Sequence, residues 1–339
     1  MTRRPAIVLG LLFAIAAPTP ALQTEWRDPS RHTTTFVTVE DDVRLEVLDW
    51  GGSGPPLLLL AGLGDTAHVF DEFAPTLAAR YRVLGVTRRA HGRSSAPAAG
   101  YAPPRLAEDV VRVMDAVGLK RSVVVGHSFA GEEMHVLGAR HASRIAGLVY
   151  VDAAFNRADG AADYEAAART LPAAPRPEPA DLASYAALRA FLDRTQGGAG
   201  PEAHLRARYL PTDDGTVGRP WAPDLPIRQA LTNEMKAMSS AYNPEPIRVP
   251  ALAMYAVPAS AGDLMRPWYP ADDPGMRERV ETLYRLSRER FARHAKWFAA
   301  FAGRGGVSEI SGAHHLFLSH PREVVEQIDT FVSSLPATP

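Results

Sequence analysis

The amino-acid sequence predicts an α/β fold: a mostly parallel sheet of eight strands, helices on both of its faces, and a helical insertion in mid-chain. Three observations lead there. Between Pro56 and Asp152 short apolar runs alternate with amphipathic stretches, the rhythm of crossover units on a parallel sheet. Runs such as Leu57-Leu58-Leu59-Leu60 and Val123-Val124-Val125 are apolar throughout, as expected for strands covered on both faces. After Asp152 the rhythm stops, and it resumes only at Pro250.

In chain order, the β-branched stretches Thr33 to Glu40 and Val43 to Trp50 flank Asp41-Asp42 and read as an antiparallel hairpin. There follow strand Pro56 to Ala61, helix His68 to Arg80, strand Tyr81 to Val86, helix Arg105 to Val117, strand Arg121 to Val125, helix Phe129 to His141 and strand Ile145 to Asp152. Residues 153–247 are rich in Ala, Arg and Pro and read as a helical cap, with one helix over Leu182 to Arg194. The core, 22–152, then continues over 248–339 with strand Pro250 to Val257, the amphipathic stretch Pro274 to Ala302, strand Val307 to Ile310 and a closing helix from Pro321 to Ser334.

Residues 1–21 differ from the rest. Arg3-Arg4 precedes an apolar run from Ala6 to Ala17 that is too short to span a bilayer, and small residues follow up to Ala21. This is the pattern of a secretory signal peptide, and it predicts an exported protein without stable membrane insertion. With 37 Lys and Arg against 38 Asp and Glu, the chain has no positive field to hold nucleic acid. The absence of cysteine excludes disulfides, thiolate nucleophiles and thiolate-bound metals.

The chemistry is concentrated in Gly126-His127-Ser128-Phe129-Ala130-Gly131. A serine between small residues, after an apolar strand and before a helix, matches a nucleophile elbow, in which a strained strand-to-helix turn exposes the hydroxyl. Ala130 stands where the strict pattern has glycine, a departure of one methyl group. Three further motifs accompany it: Ala61-Gly62-Leu63-Gly64, Arg88-Arg89-Ala90-His91-Gly92-Arg93-Ser94, and Gly312-Ala313-His314-His315-Leu316-Phe317-Leu318-Ser319-His320-Pro321. With these motifs in this order, the chain resembles the α/β-hydrolase superfamily over nearly all of its length outside the cap.

The resemblance implies a serine hydrolase with Ser128 as nucleophile, a histidine base in the late loop, and a carboxylate to orient it. Counting back from Pro321 favours His314 over His315 as the base. The acid is read as Asp152, at the end of the strand after the elbow helix, with Asp263, a few residues beyond the later strand, as the alternative. The backbone N–H groups of Leu63 and Phe129 would form the oxyanion hole. Ala61 replaces a histidine that usually braces that loop, and Arg89 resembles a loop-holding arginine.

His127 reads as a loop brace, His320 as structural, and Trp50, Trp221, Trp268 and Trp297 as packing residues. Glu132-Glu133 fits the N-terminal dipole of the elbow helix. His314, His315 and His320 make a poor zinc set, so neither metal nor cofactor is expected. The expected substrate is a small ester-like molecule cleaved through an acyl-serine intermediate. Haloalkane dehalogenases and epoxide hydrolases resemble the fold but need aspartate at position 128. A cofactor-free haloperoxidase, a carbon–carbon bond hydrolase, or a non-catalytic ligand-binding protein on the same fold are the alternatives.

Overall fold

The apolar runs at Leu57–Leu60 and Val123–Val125 become neighbouring strands in the middle of one eight-stranded sheet. In the computed structural model, residues 26–336 are described apart from 197, 213–215, 221–226, 228, 231–232, 235–243, 271 and 303–304. The signal-peptide reading of 1–21 and Trp221 therefore lie outside the described residues.

The strands are β1 (Thr33–Glu40), β2 (Val43–Gly51), β3 (Pro56–Leu60), β4 (Arg82–Val86), β5 (Ser122–His127), β6 (Ile145–Val151), β9 (Ala251–Ala256) and β10 (Gly305–Ile310). They lie in the order β1-β2-β4-β3-β5-β6-β9-β10. The hairpin β1–β2 and the pair β2–β4 are antiparallel and every other neighbour pair is parallel. The register His127↔Val151 and Val151↔Met254 brings the C-terminal ends of β5, β6 and β9 level with one another. Open parallel sheets bind ligands at that edge.

Helices α1 (Ala74–Ala78), α2 (Pro103–Ala116), α3 (Ala130–Arg140), α7 (Met276–Ala302), α8 (Leu316–Ser319) and α9 (Pro321–Ser334) accompany the sheet. One face is covered by α2, α3 and α7, through Val110, Val113, Met134, Leu137 and Phe298. The other is covered by Phe70, Phe73, Leu77, Phe317, Val324 and Ile328. Each such side chain removed from water contributes about 1.5–3 kcal/mol, which is why the strands are apolar on both faces. Between β6 and β9 run α4 (Ala162–Arg169), α5 (Tyr185–Gln196), α6 (Glu202–Arg208) and the antiparallel pair β7 (Tyr209–Pro211) and β8 (Val217–Pro220). This segment has a small core of its own around Leu188, Phe191, Leu205 and Tyr209. Among the described residues, no helix is long and apolar enough to cross a membrane.

One predicted element is corrected. The helix expected over His68 to Arg80 is a 3-10 turn at Ala67–Phe70 followed by the short α1. Pro75 lacks the N–H that would have reached the Asp71 carbonyl in a continuous helix, so the chain breaks there.

Arg89 holds the hairpin to this frame. Its side chain is 1% exposed and donates to Asp109 on α2 at 2.7 and 2.8 Å and to Glu40 at 3.1 Å. Removing Arg89 leaves the buried Asp109 with the partly exposed Arg105, at 2.8 Å, as its remaining cation. Arg89→Met is therefore expected to lower unfolding free energy by about 3 kcal/mol, the low end for a broken buried pair, in chemical denaturation. A loss below about 1 kcal/mol, the range of ordinary surface changes, would contradict this role.

Candidate active site

Three loops at the C-terminal edge of the sheet supply the site. The first is the turn from β5 to α3, where Ser128 has φ +53°. A left-handed backbone at a non-glycine residue is strained, and close packing maintains it. A side chain at Gly126 would meet Met134 Sδ at 2.2 Å and Ala130 Cβ at 3.0 Å, so strand and helix approach as closely as glycine permits. The second loop begins at Asp152, also left-handed at φ +45°, whose N–H bonds the Met254 carbonyl at 2.7 Å. The third follows β10 and carries His314 and His315.

These loops form a chain of hydrogen bonds. His314 Nε2 lies 2.9 Å from Ser128 Oγ, and His314 Nδ1 lies 2.5 Å from Asp152 Oδ2. The other Asp152 oxygen accepts the Ala256 N–H at 3.1 Å, which fixes the carboxylate. Burial lowers the proton affinity of His314, but the Asp152 hydrogen bond and charge outweigh it and raise its pKa above the ordinary 6.5.

The other sequence candidates lie apart from this chain. Asp263 closes a capping box, with Oδ2 taking the N–H groups of Ala259 and Ser260 at 2.8 and 3.1 Å. His315 Nε2 sits 3.2 Å from Asp65 Oδ2. His127 is fully buried beneath the loop and donates from Nε2 to the His314 carbonyl at 3.1 Å, so it seats the loop that carries His314. Burial, reinforced by the neighbouring histidines, keeps His127 neutral, its pKa well below the usual range. His320 Nδ1 meets Ser319 Oγ at 2.9 Å at the start of α9. Trp50 donates to Asp71 at 3.1 Å, Trp268 lies 3.4 Å from the Pro172 carbonyl, and Trp297 stacks on Phe301.

The N–H groups of Leu63 and Phe129 have no protein acceptor among the described residues. The loop around Leu63 is braced in an unexpected way. Arg88 donates to the carbonyls of Ala61 at 2.9 Å and Gly62 at 3.3 Å, pairs with Glu133 on α3, and lies over the Phe129 ring. His91 Nδ1 donates to the Arg89 carbonyl at 2.9 Å and Nε2 accepts the Gly64 N–H at 3.0 Å. Together they brace a loop in which Ala61 stands for the usual histidine. Glu132 and Glu133 are both buried, one on Arg157 and the other on Arg88. Ion pairing, more than the helix dipole, accounts for them.

Asp65 is a second residue that sequence reasoning missed. It is buried, and besides His315 it faces His204 at 3.4 Å and Arg208 at 3.6 Å, both on α6. Burial opposes its ionisation, but hydrogen bonds from His204 and His315 hold its carboxyl well below the usual range. Among the described residues, two groups have metal-ligand spacing, with atoms within 4.8 Å of one another: Asp65, His127 and His315, and Asp28, His32, His68 and Asp71. In the second group Asp71 already binds His32 at 2.8 Å, His68 at 2.9 Å and Trp50. Burial lowers the His68 pKa, but Asp71 and Glu46 raise it to about 9, so a charged imidazolium balances these carboxylates.

With fold and site described, the class follows. Residues 55–210 match the family model of the alpha/beta hydrolase fold. The solved structure of E-2-(acetamidomethylene)succinate hydrolase aligns over 89% of this chain and 100% of its own, with a TM-score of 0.64 at 20% identity, a likeness of fold. The chain thus has the α/β-hydrolase fold. It is 37% identical over 120 residues to the non-heme haloperoxidase of Rhodococcus erythropolis, which covers 35% of this chain and 43% of that protein. It is also 37% identical over 110 residues to epoxide hydrolase A of Mycobacterium tuberculosis, covering 31% and 34% respectively. The chain thus spans less than half the length of these curated relatives.

Proposed function

We propose that the protein is a serine hydrolase that cleaves a carboxylic ester or related acyl compound through an acyl-Ser128 intermediate. The observation that carries this reading is the hydrogen-bonded chain Ser128–His314–Asp152 at 2.9 and 2.5 Å. His314 takes the Ser128 proton as Oγ attacks the substrate carbonyl, and Asp152 stabilises the imidazolium that results. The N–H groups of Leu63 and Phe129 receive the oxyanion. Collapse expels the alcohol, which leaves with the proton from His314. Water, deprotonated by the same imidazole, then releases the acid and restores the serine.

A serine at the elbow gives an acyl intermediate with either an ester or an amide, whereas epoxide opening on this fold needs an aspartate there. The segment 153–247 is read as a cap over the acyl and alcohol sites, with Tyr164 and Gln196 lining the cavity that contains Ser128.

Ser128→Ala and His314→Ala should each lose about 10⁴-fold in kcat on a p-nitrophenyl ester. Asp152→Asn should also lose orders of magnitude, while His315→Ala and Asp263→Asn stay within about tenfold of wild type. Melting curves establish that each variant is folded. Wild-type turnover in folded Ser128→Ala removes the mechanism, and an inactive, folded Asp263→Asn beside an active Asp152→Asn reassigns the acid.

The pH profile gives an independent check. His314 must be neutral to accept a proton, and its pKa is raised, so kcat/KM should climb with pH along a limb whose midpoint lies above 6.5. Asp152→Asn removes the group that raises it, so the limb of the residual activity should move to lower pH. A wild-type midpoint below 6.5, or an upward shift in the variant, would contradict this assignment.

A further inference from the structure

Helix α7 places two residues on the wall of the cavity of about 770 Å³ that contains Ser128 and His314, and neither has a carboxylate partner among the described residues. The first is His294, 2% exposed. Its Nδ1 accepts the Asn156 backbone N–H at 3.2 Å, so the proton of the neutral ring is on Nε2. Nε2 is buried without an acceptor among the described residues. The second is Arg290, one helical turn earlier, whose Nε is likewise buried without an acceptor. Its guanidinium lies over the rings of Phe155 at 5.6 Å and Tyr164 at 5.4 Å, so aromatic faces rather than a carboxylate hold it.

The nearby acids are already engaged. Asp159 pairs with Arg293, Glu132 with Arg157, and Asp152 with His314, while Asp263 caps its own turn. Arg266, also on the cavity wall, donates among the described residues to the backbone carbonyls of Asp263 and Met265 and adds a further positive charge. The Arg290 Nε is sealed from the cavity, but the guanidinium that carries it is only partly buried and has no carboxylate partner among the described residues. Its remaining N–H groups and its charge are matched by an anionic acceptor with two oxygens.

We propose that Arg290 forms an anion subsite, and that the substrate is an ester carrying a carboxylate remote from the scissile bond. The inference rests on the serine-hydrolase reading of the same cavity. An ammonium would be repelled by this charge and a purely apolar chain would leave it unneutralised, so the subsite selects against both.

The test compares two esters, each beside its primary-amide counterpart of equal length and no charge. One is the p-nitrophenyl monoester of adipic acid, with the carboxylate on the acyl part. The other is the acetate ester of 6-hydroxyhexanoic acid, with the carboxylate on the alcohol part. For at least one pair, wild type should favour the carboxylate form, and Arg290→Met should reduce that preference about tenfold or more, mainly through KM. Arg290→Lys keeps the charge and should retain part of the preference. Calorimetry of adipate with Ser128→Ala reads the subsite without turnover, and the affinity should fall by a similar factor in Ser128→Ala/Arg290→Met. If no ester is turned over yet adipate binding depends on Arg290, the hydrolase reading fails and the subsite stands. Equal or better turnover of both amide forms, or adipate binding indifferent to Arg290, overturns the subsite.

Discussion

The left-handed turn at Ser128 is the constraint on which the site depends. Holding a non-glycine residue at φ +53° costs on the order of 1–3 kcal/mol, and the fold must supply that from packing. It does so by burying β5 completely and setting α3 against it at glycine contact distance. The strain lifts the hydroxyl out of the sheet edge and leaves the Phe129 N–H beside it without a protein acceptor among the described residues. A relaxed turn would lose both features at once, so the proposed nucleophile and the proposed oxyanion donor depend on one turn.

Buried charges around this turn hold the loops in register. Arg88 ties the carbonyls of Ala61 and Gly62 to Glu133 and Phe129, so the loop of Leu63 and the turn of Phe129 share one guanidinium. Asp65 links His315, the neighbour of His314, to His204 and Arg208 on α6. That contact joins the segment after β6 to the loop carrying the base. Buried ions of this kind add little net stability, because desolvation offsets their attraction. Their use here is geometric.

The sheet was legible because strands covered on both faces must be apolar, and the runs at Leu57 and Val123 allow no other placement. The helix expected from His68 was misread because its hydrophobic spacing is helical while Pro75 forbids continuity. Motif order brought Ser128, His314, His315, Asp152 and Asp263 into consideration, and the count back from Pro321 favoured His314, but spacing alone could not settle either pair. Their separation depends on how the loop after β10 is seated, which His127 governs through one bond to a backbone carbonyl. Arg88, Asp65 and His204 acquire their roles from contacts between distant parts of the chain, and no local pattern announces them. The same holds for Arg290 and His294, which in sequence are two polar positions of a long amphipathic helix.

An acyl group on Ser128 is the central claim, and it can be observed directly. The enzyme is mixed with p-nitrophenyl acetate, quenched in acid while turnover is in progress, and analysed by intact mass and peptide mapping. The account predicts one acetyl group per chain, on the peptide containing Ser128, disappearing as substrate is exhausted. Continued turnover with no acetylated species, or with the acetyl group on another residue, would contradict it.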